Sequence, residues 1–207
     1  MDIFIKICGI TNLEDAKIAI SSGANAIGLM RYADSPRYIE EKRLDQIYKI
    51  LPKSVKAVPV FANESAEEVE RVLNMMPDAI PQFHGDEDSA YCESFGVEYL
   101  KAIKMDESIN LKKEAESYTS SLALLLDSKD INLLGGTGFT FDWNLIDLSL
   151  EKNLILAGGL SPENIERALS SGQYWGVDVS SGVESSPGIK DKNKIVSFIR
   201  TIRDRNE

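Results

Sequence analysis

Leu154-Ile155-Leu156-Ala157-Gly158-Gly159-Leu160-Ser161-Pro162 leads through one helical stretch to Trp175-Gly176-Val177-Asp178-Val179-Ser180-Ser181-Gly182-Val183-Glu184, and this passage decides the architecture. Each half starts as a short apolar run and breaks into glycine and small polar residues. Between them Pro162–Ser171 has helical periodicity, and Ser161-Pro162 offers an N-cap followed by proline at the first helical position. Two strands joined through a helix run parallel. The same unit repeats along the chain. Strands are predicted to begin near Ile3, Ala26, Lys56, Ala79, Tyr99, Leu122, Leu154 and Trp175. Helices are predicted over Asn12–Ser22, Glu40–Leu51, Ser65–Met75, Glu87–Phe95, Ile109–Tyr118, Phe141–Leu150, Pro162–Ser171 and Lys192–Arg203. Ser65-Ala66-Glu67-Glu68 has the spacing of a capping box, in which hydroxyl and carboxylate each satisfy an orphan N–H. Regular alternation of this kind is an α/β pattern of parallel βαβ units. Eight such units form either a doubly wound open sheet or a closed (β/α)8 barrel. With no linker-like stretch, residues 1–207 are expected to form a single domain.

Composition narrows the function. The chain has 33 acidic and 23 basic residues and a formal net charge of -10. Neutralising nucleic-acid phosphates takes clustered Lys and Arg, so no nucleic-acid partner is expected. A small anion can still bind to a few backbone N–H groups. Cys8 and Cys92 are the only cysteines and His84 is the only histidine, which argues against disulfides and against a metal site. The start of the chain lacks a signal-peptide pattern, and no apolar run is long enough to span a bilayer. The expectation is a cytoplasmic protein with no membrane partner, either monomer or homodimer.

The chemistry-bearing residues fall where strands end. Lys6-Ile7-Cys8-Gly9-Ile10-Thr11 closes the first strand, with Lys6 and Cys8 on one face. From position alone a buried small side chain is the commoner fate for Cys8; the functional reading is a base or nucleophile, which needs a thiolate. An inward Lys6 ammonium is expected to favour that thiolate. Gln82 and His84 share a face at the end of the fourth strand, where a lone histidine more often serves as a structural hydrogen bonder. Asp127 closes the unbroken apolar run Leu122-Ala123-Leu124-Leu125-Leu126. It reads either as a cap or as a partly desolvated acid holding a proton to donate. Three glycine clusters follow strands, at Gly135-Gly136-Thr137-Gly138, Gly158-Gly159 and Ser180-Ser181-Gly182. The last two suit a phosphate-binding site at the C-terminal face of a barrel, aided by a short extra helix after the eighth strand. Asp178 shares a face with Ser180 on the strand that would close against the first, so Lys6 and Asp178 are expected to pair.

In this order the motifs resemble the phosphoribosylanthranilate isomerases. The resemblance runs through Lys6–Thr11, Ser35-Pro36-Arg37-Tyr38, Gln82–Asp86, Leu125-Leu126-Asp127, Gly135–Gly138 with Phe141-Asp142-Trp143, Leu156–Leu160 and Gly176–Glu184. It implies a single (β/α)8 TIM barrel and a cofactor-free, metal-free Amadori rearrangement of tryptophan biosynthesis. The substrate would be a phosphorylated small molecule. By motif, Cys8 would be the general base and Asp127 the general acid. Arg37 would face the anthranilate carboxylate, and His84 and Asp178 would contact substrate. Gly158, Gly159, Ser180, Ser181 and Gly182 would hold the phosphate. The chain departs from the family pattern at Gly28–Asp34, at Pro59 and at Phe139, which bears on the shape of the anthranilate pocket and on substrate range but not on the acid–base pair. Two alternatives are a related ribulose-phosphate-binding isomerase and a phosphate-binding barrel without turnover. The first would use two carboxylates, whereas the first strand here ends in cysteine.

Overall fold

In the computed structural model, which describes residues 2–128 and 142–205, eight parallel strands close into a barrel in sequence order. They are β1 (Phe4–Ile7), β2 (Ala26–Met30), β3 (Lys56–Phe61), β4 (Gln82–Phe83), β5 (Leu100–Met105), β6 (Ala123–Ser128), β7 (Leu154–Leu156) and β8 (Gly176–Val179). The open-sheet alternative is excluded by the closing pair. β1 lies parallel to β8, with Phe4 opposite Gly176 and Lys6 opposite Asp178.

Strand alternation sorts side chains into two cores. Inside the barrel lie Ala26, Val58, Val60, Leu100, Ala102, Ala123, Leu125, Ile155 and Ala157, packed with Cys8. The outward set, including Ile5, Ile7, Ile27, Leu29, Phe61, Leu124, Leu126, Leu156 and Val177, packs beneath the helices. Those helices are α1 (Leu13–Ser21), α2 (Glu41–Tyr48), α3 (Ala66–Met75), α4 (Ser89–Glu93), α5 (Leu111–Ser117), α6 (Ile165–Ser170) and α7 (Lys192–Asp204). α7 illustrates the rule: Asp191 caps it by accepting from Asn193 and Lys194 N–H groups, and it buries Ile195, Phe198, Ile199 and Ile202 at helical spacing.

Several local expectations need correction. The fourth strand begins at Gln82 rather than near Ala79: Ile80 N–H bonds to Ala57 O in the β3–β4 register, but Pro81 has no N–H to donate and interrupts the ladder. Of the helix expected over Phe141–Leu150, the described part forms only a 3-10 turn at Trp143–Leu145. Gly135–Gly138, Phe139 and Phe141 lie outside the described residues. Ser161-Pro162 opens a turn, and regular helix starts only at Ile165. Only half of the Ser65 capping box forms. Ser65 Oγ accepts from Glu68 N–H, but the Glu68 carboxylate is drawn away to Arg31 and Arg71. An unanticipated hairpin follows the eighth strand: β9 (Glu184–Ser186) and β10 (Ile189–Lys190), antiparallel across Pro187-Gly188. Among the described residues no helix is long and apolar enough to cross a membrane.

Candidate active site

The C-terminal ends of the strands converge on one mouth, and inward alternation carries Lys6, Cys8, Gln82, His84, Asp127 and Asp178 toward it. Lys6 is fully buried, and its Nζ lies 2.9 Å from Asp178 Oδ1, the pairing expected from the β1–β8 closure. Neither atom makes a well-aligned hydrogen bond among the described residues. Burial alone would depress the Lys6 ammonium, but Asp178 and then Cys8 reverse that and hold it above its usual range.

Cys8 has 6% exposure and sits one step above Lys6 on the same face. Lys6 favours the thiolate as expected, but burial outweighs it. Burial pushes the thiol above its ordinary value, and the attraction of Lys6, with a smaller contribution from Lys190, does not overcome it. The neighbouring strand leaves room for the sulfur only because residue 28 is glycine. A Cβ there would stand 2.5 Å from Cys8 Sγ and 3.0 Å from its Cα.

On the opposite side, Asp127 Oδ2 is 3.1 Å from His84 Nε2, and its Oδ1 accepts from Ser128 N–H at 2.8 Å. Both side chains are 27% exposed, open enough to meet a ligand. His84 Nδ1 in turn lies 2.8 Å from Nε2 of Gln82, which is fully buried. The backbone around His84 is clamped from outside the barrel. Lys101 Nζ donates to Gly85 O at 2.7 Å and pairs with Glu87 at 3.1 Å, both partners of the pair being buried.

The two glycine loops lie beside this pair. Gly158 has φ +75°, and a Cβ would fall 2.8 Å from Asp127 Oδ1 and 2.4 Å from Ser128 N. Its N–H and that of Gly159 donate to nothing among the described residues. Asn164 holds the loop open by donating to Gly159 O at 2.8 Å and accepting from Ser161 N–H at 2.9 Å. Across from it, Ser180 precedes the short helix expected after the eighth strand, a single 3-10 turn at Ser181–Val183 containing Gly182. Ser180 Oγ is buried without a hydrogen-bond partner among the described residues.

Arg37 reaches the same mouth, its side chain passing over Gly9. Its guanidinium grips Glu184 bidentately, Nε to Oε1 and a terminal nitrogen to Oε2, each at 2.8 Å. Buried Lys190 adds a third donor, 2.9 Å from Glu184 Oε1 and 3.0 Å from Ser180 O. Glu184 and Lys190 were not singled out as site residues from the sequence. The Pro187-Gly188 turn signal was the one clue that would have folded Lys190 back onto Glu184. Arg31, where the sequence departs from the family pattern, is buried away from the mouth. It donates to Ile39 O, pairs with Glu68 at 2.8 Å and stacks over Tyr38. Among the described residues no group of three or more His, Cys, Asp or Glu side chains is arranged to hold a metal ion.

Comparison with known proteins finds relatives over nearly the whole chain. A family model described as N-(5'-phosphoribosyl)anthranilate (PRA) isomerase matches residues 5–201. An N-(5'-phosphoribosyl)anthranilate isomerase of Pseudomonas aeruginosa is 43% identical over 201 residues, covering 97% of this chain and 95% of the relative. Among solved structures, the phosphoribosyl anthranilate isomerase of Thermotoga maritima superposes with a TM-score of 0.89 at 38% identity, covering 98% of this chain and 99% of its own. A phosphoribosyl anthranilate isomerase in complex with reduced 1-(o-carboxyphenylamino)-1-deoxyribulose 5-phosphate gives a TM-score of 0.86 at 35% identity, over 98% and 99% of the two chains.

Proposed function

The chain belongs to the N-(5'-phosphoribosyl)anthranilate isomerase family, and on that premise we propose that Asp127 and Cys8 are the acid and base of its reaction. It isomerises N-(5'-phosphoribosyl)anthranilate to 1-(2-carboxyphenylamino)-1-deoxyribulose 5-phosphate, an Amadori rearrangement of tryptophan biosynthesis. The observation that carries the role assignment is that both side chains end inward-facing strand positions at one mouth, with Lys6, Asp178 and His84 between them.

Asp127 gives its proton to the ribose ring oxygen as the C1–O bond breaks, and the anilino nitrogen lone pair forms the protonated Schiff base. Cys8 then removes the C2 proton. The C–H electrons become the C1–C2 double bond, and the C=N pair returns to nitrogen, leaving an enolamine that tautomerises to the ketone. The lifted thiol fits this order. The iminium cation is the one strong positive charge the substrate itself brings to Cys8, so the thiolate is favoured when it is needed.

Phosphate is assigned to the N–H groups of Gly158 and Gly159 and to Ser180, Ser181 and Gly182; glycine amides that donate to nothing among the described residues and the buried Ser180 hydroxyl support this. Asp178 is assigned to a sugar hydroxyl, and His84, whose two ring nitrogens already face Gln82 and Asp127, to packing contact with the sugar beside the acid. Arg37, held edge-on by Glu184, is the group assigned to the anthranilate carboxylate. Residues 1–207 act as one catalytic unit, assigned to the cytoplasm. The direct test is the loss of anthranilate fluorescence when phosphoribosylanthranilate meets the purified protein; an unchanged signal refutes the activity. Retention of full turnover by Asp127→Asn or Cys8→Ala refutes the role of that residue.

A further inference from the structure

Asp127 can give its proton to a sugar only if that proton is not already committed to the histidine beside it. His84 Nε2 is 3.1 Å from Asp127 Oδ2, and two hydrogen-bond registers fit that distance. In the first, Nε2 carries the hydrogen and donates to the carboxyl; a proton on Asp127 then occupies a lone pair away from His84, because Oδ1 also accepts from Ser128 N–H. In the second, Nε2 is bare and accepts the proton of Asp127, which ties the acid to the ring. The choice is made at the far nitrogen. Neutral imidazole has one hydrogen, so whatever faces Nδ1 sets what Nε2 can do.

The group facing Nδ1 is the Gln82 side-chain amide, with Nε2 at 2.8 Å. Gln82 lies in the two-residue strand β4 with no exposed surface, so its amide is shielded from water. With its Nε2 turned toward the ring, the amide N–H2 donates, and that orientation leaves Nδ1 bare and puts the ring hydrogen on Nε2. We propose that Gln82 is a positioning residue that locks His84 in the Nε2–H form, so that His84 donates to Asp127 and keeps the acid's proton facing the substrate. The same donor then steadies the carboxylate as it gains charge during proton transfer, a role for pre-aimed donors in active sites generally. The clamp of Lys101 on Gly85 O fixes the backbone next to His84 and so holds the ring to this partner.

The inference rests on Asp127 as the acid, but its test does not. His84 is the only histidine in the chain, so its ring nitrogens give one set of signals in a long-range 1H–15N correlation spectrum of the whole protein. The expected result in the unsubstituted protein near neutral pH is an Nε2–H tautomer, with Nδ1 in the range of an unprotonated, hydrogen-bonded nitrogen. An Nδ1–H tautomer overturns the proposal, because it means the amide is turned the other way. Gln82→Glu replaces the donor by an acceptor of equal size. It is expected to move the hydrogen to Nδ1 or to charge the ring, and to lower kcat about tenfold, less than the 10²–10⁴-fold carried by a general acid itself. KM is expected to change little. Gln82→Met removes both hydrogen-bonding options without adding charge, and is expected to give mixed tautomers with an intermediate kcat. Variants that fold, as judged by circular dichroism, and keep both the wild-type tautomer and wild-type kcat also overturn it. Full activity in Asp127→Asn would instead remove the acid assignment while leaving the tautomer result standing.

Discussion

Buried charge in this mouth has opposite consequences at different residues, and each has its own pH signature. Because burial lifts the Cys8 thiol, the free enzyme carries its base mostly protonated near neutrality. The expected result is a kcat/KM that still rises with pH past 9.0, the ordinary thiol value. A profile already flat at neutral pH would show a thiolate formed without substrate. For Glu184, burial would raise the carboxyl, but the Arg37 fork and Lys190 outweigh it and hold it below its usual 4.5. A lowered folded value stabilises the protein above the unfolded pKa and is lost as pH falls through the folded one. Thermal melts from about pH 6 down to 3 should therefore lose less stability in Glu184→Gln than in the unsubstituted protein. At neutral pH the same variant removes the negative charge that holds the Arg37 fork edge-on, and a raised KM is the expected kinetic effect. What was legible at this scale followed from two-residue alternation: Lys6 with Cys8, Gln82 with His84, Asp178 with Ser180. The sign of the Cys8 shift was not legible, because sequence names the neighbouring cation but does not measure desolvation.

Single elements set the precision of the acid–base pair. Residue 28 on β2 backs the sulfur and residue 158, after β7, backs the carboxyl, so the two glycines act as spacers for the two reacting groups. Gly28→Ala is expected to fold and to lower kcat at least tenfold by displacing Cys8, since misplacement by about 1 Å costs on the order of 10²-fold. A wild-type kcat in that variant would show that the sulfur position is not critical. On the outer layer, Lys101→Met would leave Glu87 buried without its cation, a loss of about 3–5 kcal/mol measurable by urea unfolding. α4 carries the other cysteine. Burial raises the Cys92 thiol from 9.0 to about 12, so stability is full below pH 9 and declines as pH rises toward 12. Cys92→Ala should flatten that alkaline decline. Element types were readable because apolar runs and helical periodicity alternate without interruption. Boundaries failed where the backbone bonding was interrupted: ahead of β4 by Pro81, which has no N–H to donate, and ahead of α6 by the 161–164 turn.

For the molecule as a whole, closure was the one topological decision that composition and spacing left open. The β1–β8 ladder settles it, and it is also what brings Lys6 to Asp178. Much of the site is therefore non-local: the Lys6–Asp178 pair spans most of the sequence, and Arg37 meets Glu184 across 147 positions. The hairpin of β9 and β10 was missed because a short polar segment has little periodicity to read, and with it went Lys190. The last helix finishes the closure. Arg203 donates to Ile3 O at 3.2 Å and to Asn25 Oδ1 at 2.9 Å, clasping the start of β1 to the end of α7. Strands enter from the floor of the barrel and helices return to it, so the beginning of the first strand and the end of the last helix emerge side by side, opposite the mouth. A fluorophore, surface tether or second enzyme joined near either point would hang beneath the catalyst and leave substrate entry unobstructed, and a short peptide bridging the two could splice them so that the chain is opened at a loop elsewhere.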